Sequence, residues 1–142
     1  GSERVALPIL YHADRNDVPL FLAFSLVQAE SSFRIDAVNY NSSSIDRGLF
    51  QLNSRSFPDL RRQDFFHPDT NARHGIRYIR YTMDEMESLP QALAMYNAGR
   101  SRVVNNRVPE STVRYVRRVI QQNRELQQDF REYILETFPP KV

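Results

Sequence analysis

The chain has 142 residues, 41% of them hydrophobic, with no cysteine and a formal net charge of +2. That is enough apolar material for one genuine core, and nothing divides the chain in two. The absence of cysteine excludes disulfides and thiolate metal sites, and the strongest apolar run, about ten residues, is too short to span a bilayer.

The elements read as helices nearly throughout. A segment around Leu7 to Asp14 precedes a main helix from about Val18 to Ser32, whose early Pro19 suits a first turn. Ala23, Leu26 and Val27 lie seven, four and three positions before Glu30, so they share its helical face. Burial against that face disfavours the charged carboxylate, raises its pKa and keeps a proton available near neutral pH, as a general acid requires. A helix-end glutamate can equally cap or pair, so position alone does not decide.

A polar loop, N-Y-N-S-S-S-I-D-R, leads into G-L-F-Q-L-N, where a short β-hairpin fits near residues 40–53. Gly48 suits a positive φ there. Thr70 is the expected cap of a helix reaching about Glu87, with Ala72, Ile76, Ile79, Met83 and Met86 on one stripe. Pro90 opens a short helix, and Ser111 is the expected cap of a last one reaching Phe138, about 42 Å if unbroken. The core is thus expected over about 8–120, with a helical extension over about 121–138 that folds back or reaches a partner.

Four motifs recur in a fixed order: E-S-S-F from Glu30, G-L-F-Q-L-N from Gly48, A-M-Y-N-A-G from Ala94, and Y-V at Tyr115 and Val116. Together they resemble the lysozyme-like catalytic domain of lytic transglycosylases, from roughly Pro8 to Ile120. The resemblance implies a mainly α, lysozyme-like single domain. It also implies a peptidoglycan-cleaving enzyme that cuts the β-1,4 bond between N-acetylmuramic acid and N-acetylglucosamine, leaves 1,6-anhydromuramic ends and needs no cofactor or metal.

By the same resemblance Glu30 is the single acid/base and Ser31 its motif neighbour. Gln51 and Asn53 are substrate-contacting amides, Tyr96 and Asn97 the pair beside the cleft, and Tyr115 the tyrosine whose hydroxyl lies near the catalytic carboxylate. From the residues alone, Tyr96 and Tyr115 read equally well as amphipathic core positions and Asn97 as a helix-end signal.

The chain departs from the family pattern in places. Ile35 stands near the usual proline after E-S-x-F, Ser42 to Arg47 replace a glycine-alanine pair, and Ser111 occupies a common glutamate position, with Glu110 one place away. The stretch D-R-G-L-F-Q-L-N-S is also similar to the one that carries the second carboxylate of animal-type lysozymes. Asp46 therefore has three readings: a catalytic second carboxylate of a muramidase, a sugar ligand, or a residue bracing its own turn.

The basic residues are 18 arginines and Lys141, with six arginines between Arg100 and Arg118 against Glu110 alone. This patch can attract the acidic peptide stems of a cell wall. Nucleic acid is the rival partner, and a net charge of only +2 argues against it. His12, His67 and His74 have no metal-ligand spacing, and no phosphate-cradling glycine loop exists. Expected partners are peptidoglycan strands and a cell-envelope assembly component at the C-terminal helix. The expected location is the bacterial envelope, in the periplasm, with any export segment upstream of Gly1-Ser2.

Overall fold

The computed structural model describes residues 2–141. Among these residues are six α-helices, α1 (Ser2–Arg15), α2 (Leu20–Ser31), α3 (Pro68–Glu85), α4 (Leu89–Ala98), α5 (Arg100–Val104) and α6 (Glu110–Thr137), and a small sheet of β1 (Val38–Tyr40), β2 (Ile45–Arg47) and β3 (Leu52–Asn53). The mainly helical architecture agrees with the sequence reading, and the expected hairpin is a three-stranded antiparallel sheet in the order β1-β2-β3.

Helix α2 is apolar on nearly every side because it is the central strut. Leu22, Ala23, Leu26 and Val27 are all buried, and the helix packs on α1 and α6. It ends where Ser32 and then Phe33 take left-handed backbone conformations, φ 52° and 62°. That conformation costs a non-glycine residue free energy and fixes the direction in which the chain leaves the last turn. Glu30 lies in that turn.

Helix α3 packs against α1 and α4. Its side-chain cap is His67 rather than Thr70: the His67 ring accepts from the Thr70 N–H at 3.4 Å, and Pro68 takes the first helical position. The buried His12 ties α1 to α3 through Asp69 at 2.8 Å.

Ser88 caps α4. Ser111 lies inside α6, which begins after Pro109 without a side-chain cap. The short α5 and a 3₁₀ turn over Arg62–Phe66 are additions that the apolar pattern did not signal, because both are too short to show a period.

The turn between β2 and β3 is held from beneath by one buried amide. Asn71 of α3 accepts from the Phe50 N–H at 2.8 Å and donates to the carbonyls of Arg47 at 3.0 Å and Phe65 at 2.7 Å. Gly48 has φ +80°, and a Cβ there would run into the Asn71 amide and the Phe65 carbonyl, so both its backbone and its surroundings demand glycine. Gly75 of α3 likewise admits the Phe50 ring. Strands and helices are thereby locked at one short distance.

Helix α6 runs unbroken for 28 residues. Only Thr112, Tyr115, Val116 and Val119 of it are buried, while Phe130, Tyr133, Leu135 and Phe138 at its far end are exposed. Its first half closes the core against α2 and α4. Among the described residues no helix is long and apolar enough to cross a membrane.

Candidate active site

A cleft of about 530 Å³ opens between the sheet and α3–α5. Glu30 is at its floor, Asp46, Gln51 and Asn53 come from the sheet side, and Tyr96 and Asn97 come from α4. Six of the eight candidate residues are thus brought together. Of the other two, Tyr115 lies behind Glu30, whereas Ser31 is turned away: it is buried, and its hydroxyl donates back to the Val27 carbonyl at 3.1 Å.

Glu30 is partly open to the cleft, but its carboxyl is enclosed, and its pKa is raised from 4.5 to about 7. Desolvation is the main cause; the Tyr115 hydroxyl opposes it, Asp46 adds to it by charge repulsion, and Arg118 opposes it by attraction. The Tyr115 oxygen is buried beside the carboxyl with no completed hydrogen bond of its own. Its own ionisation is pushed well up by burial and by Glu30, which keeps it a neutral donor.

Asp46 occupies the middle of an amide row. Across the ladder its partners are Asn39 on β1 and Asn53 on β3. One carboxylate oxygen accepts from Asn53 Nδ2 at 2.9 Å and the other from Asn41 Nδ2 at 3.0 Å, while both amides also reach the Ser44 hydroxyl. The carboxylate is held in place by charge-assisted bonds on both sides.

Gln51 is equally committed. At φ 53° its amide donates to the carbonyls of Ala37 at 3.1 Å and Gly48 at 3.0 Å, and its oxygen accepts from Asn39 at 2.8 Å. The side chain builds the cleft wall and has no free N–H to offer a ligand.

Tyr96 donates its hydroxyl to the Phe50 carbonyl at 2.7 Å, pinning α4 to the β2–β3 turn. Its ring packs at 5.2 Å from Tyr78, forming an aromatic wall. Asn97 lines the cleft, and its side-chain oxygen accepts from Thr112 of α6 at 2.7 Å.

Asn41, Ser44, Phe57, Tyr78 and Arg102 also line the cleft, and sequence reasoning assigned none of them. Asn41 and Ser44 sit in a loop whose composition signals only a turn. Tyr78 follows the helical spacing of α3, and Arg102 stands in the arginine cluster already noted, without a signal of its own.

A larger groove of about 880 Å³ lies between α2 and α6, lined by Gln28, Arg117, Arg118 and Arg124 among others. Glu30, the acid whose pKa is raised to about 7, lies in the smaller cleft, so proton chemistry belongs there. Among the described residues no three His, Asp or Glu side chains are placed to hold a metal ion.

The family model described as transglycosylase SLT domain matches residues 8–115. Among solved structures, an inactive glutamate-to-glutamine mutant of the lytic transglycosylase Slt from Pseudomonas aeruginosa is similar, with a TM-score of 0.72 at 22% identity over 88% of this chain. This chain spans 24% of that protein's length. A search of curated proteins found no match.

Proposed function

We propose, from the premise that the chain belongs to the transglycosylase SLT domain family, that it is a peptidoglycan lytic transglycosylase. On this reading it cleaves the β-1,4 bond between N-acetylmuramic acid and N-acetylglucosamine. The observation that carries it is Glu30: a desolvated carboxyl in the cleft with its pKa raised to about 7, which can give a proton and take one back at the same pH.

Glu30 first protonates the glycosidic oxygen as the bond to the muramic C1 breaks. The substrate's N-acetyl oxygen shares the positive charge that develops at C1, in the role that a second carboxylate fills in other glycosidases. The Glu30 carboxylate then takes the proton of the C6 hydroxyl as that oxygen closes on C1. One 1,6-anhydromuramic end and one free N-acetylglucosamine 4-hydroxyl result, and Glu30 is again protonated.

Tyr115 follows the charge on Glu30: its hydroxyl moves into full hydrogen-bond distance when the carboxylate forms. Asp46, with both oxygens already accepting from amides, acts as a fixed negative charge that favours the oxocarbenium-like centre and keeps Glu30 protonated. Its bonding is the reason to prefer this role over that of nucleophile in a muramidase. Asn53 reaches the sugar only by way of Asp46, Asn97 offers its free amide to the substrate, and Tyr78 and Tyr96 give sugar rings a flat apolar face.

The site of action is the bacterial cell envelope, specifically the periplasm. The exposed apolar end of α6, with Phe130, Tyr133, Leu135 and Phe138, fits contact with another envelope component.

Glu30→Gln tests the proposal. Digestion of purified sacculi should fall by at least about a hundredfold, while helical circular dichroism and glycan binding persist. Cleavage at wild-type rate would remove Glu30 from the mechanism.

A further inference from the structure

We infer that the chain pairs with a second copy of itself through α6. The two helices lie antiparallel beside the groove between α2 and α6, so that the acidic half of each rests against the basic half of the other. This surface is separate from the cleft, and the inference does not depend on the chemistry proposed there.

Helix α6 carries its charge in two blocks. Its first half has Arg114, Arg117, Arg118 and Arg124 against Glu110, and its second half has Glu125, Asp129, Glu132 and Glu136 against Arg131. By helical geometry Arg114, Arg118 and those four acids fall within about 60° of one another around the helix axis. Their stripe stands apart from the buried Thr112, Tyr115, Val116 and Val119, and every member is exposed. Among the described residues the four acids form no ion pair, and of the arginines in the first half Arg114 alone has one, with Glu110 at 3.7 Å. A lone helix gains nothing from this order, since Glu136 in the last turn meets the negative end of the helix dipole. An antiparallel copy sets the positive end of its own helix there.

The spacing fixes a register. Arg118, Gln122, Glu125, Asp129, Glu132 and Glu136 follow one another at steps of four and three residues, the repeat of a seam between paired helices. Placing the twofold axis between Gln122 and Glu125 sets Arg118 against the second copy's Asp129 and Arg114 near the second copy's Glu132. Symmetry makes each contact twice. Arg118, Gln122 and Glu125 line the groove of about 880 Å³ together with Gln28 and Ala29 of α2, so the incoming helix has a concave seat. Tyr133, 58% exposed, flanks the acidic block and is covered by the same contact. An acidic segment of another protein would answer the arginines alone, whereas a second copy answers the arginines and the acids together.

Sedimentation equilibrium of the whole chain tests the pairing. Wild type should approach twice the monomer mass as concentration rises in dilute salt, and its dimer should weaken about tenfold or more in molar salt. Arg118→Glu and Asp129→Arg each turn two attractive contacts into two repulsive ones, so either variant alone should be monomeric where wild type is dimeric. Both positions are exposed, and circular dichroism should show unchanged helix. Mixed in equal amounts, the two variants should dimerise again, because each presents at both contacts the charge that the other needs; the double variant should dimerise as well. A wild type that stays monomeric up to its solubility limit overturns the proposal and leaves α6 to a partner of another kind. A dimer indifferent to salt and to either reversal, or two variants that stay monomeric when mixed, overturns the antiparallel charge pairing.

Discussion

The Tyr115 hydroxyl is buried beside the Glu30 carboxyl without completing a hydrogen bond. Burial raises the Glu30 pKa to about 7, so a large share of the carboxyl is protonated near neutral pH, and burial together with its neighbour keeps the Tyr115 phenol neutral. An unmet donor beside a protonated acid is a poor ground-state arrangement and a good one once the acid has given up its proton.

Tyr115→Phe should therefore slow turnover about tenfold to a hundredfold with little loss of stability, since the deleted hydroxyl is an unsatisfied buried group. The alkaline limb of the rate profile should move up, because the hydroxyl lowers the Glu30 pKa. Steady-state rates across pH together with thermal melts test this. A large fall in melting temperature with normal turnover would make Tyr115 a core residue only.

Glu30 should also leave a signature in stability. Its pKa is about 7 folded against 4.5 in its ordinary state, so the folded protein holds the extra proton between those values. Stability attributable to this group is therefore lost as pH rises from about 4.5 to 7, up to about 3 kcal/mol. Glu30→Gln abolishes that loss: its melting temperature should match wild type near pH 4 and exceed it at pH 8. Parallel curves for the two proteins would mean that Glu30 is not desolvated.

Gln51→Ala should act mainly on stability. It removes three internal hydrogen bonds and leaves the Ala37 and Gly48 carbonyls only their backbone bonds from the Gly48 and Gln51 N–H groups, a cost of about 1–3 kcal/mol. Denaturant titration measures it. Unchanged stability with lost turnover would restore the ligand-contact role that the family resemblance suggests for this residue.

Gly48→Ala should be among the most damaging single changes outside the acid itself. The φ of +80° penalises any Cβ, and the Asn71 amide and Phe65 carbonyl occupy the space, so about 2–5 kcal/mol should be lost. Because Asn71 holds the turn that follows Asp46 and carries Gln51, activity should fall with it. Wild-type melting behaviour would contradict the described turn.

The sequence made the long elements legible because their causes are local and periodic. The stripe Ala72, Ile76, Ile79 reports α3, and the run around Leu26 reports α2. Glu30 could be found because apolar residues three, four and seven places before it on its own helix mark a buried face. The row Asn39, Asp46, Asn53 was hidden, since it exists only through strand register, and the strands are two or three residues long. Asn71 was hidden for a related reason: a buried amide reads as an ordinary polar helix residue until the turn that it holds is present. Caps at Thr70 and Ser111 were misplaced because several capable residues stand together and the choice depends on where neighbouring prolines start the helix.

The central claim is that Glu30 acts alone and that the sugar's own C6 hydroxyl finishes the reaction, and product mass tests it most directly. Digests of purified peptidoglycan by wild type and by Asp46→Asn should both be dominated by 1,6-anhydromuramic ends, lighter by about 18 mass units, one water, than hydrolysed ends, with Asp46→Asn slower. Reducing ends as the main product, together with a loss in Asp46→Asn as deep as that in Glu30→Gln, would contradict the account and establish a two-carboxylate hydrolase.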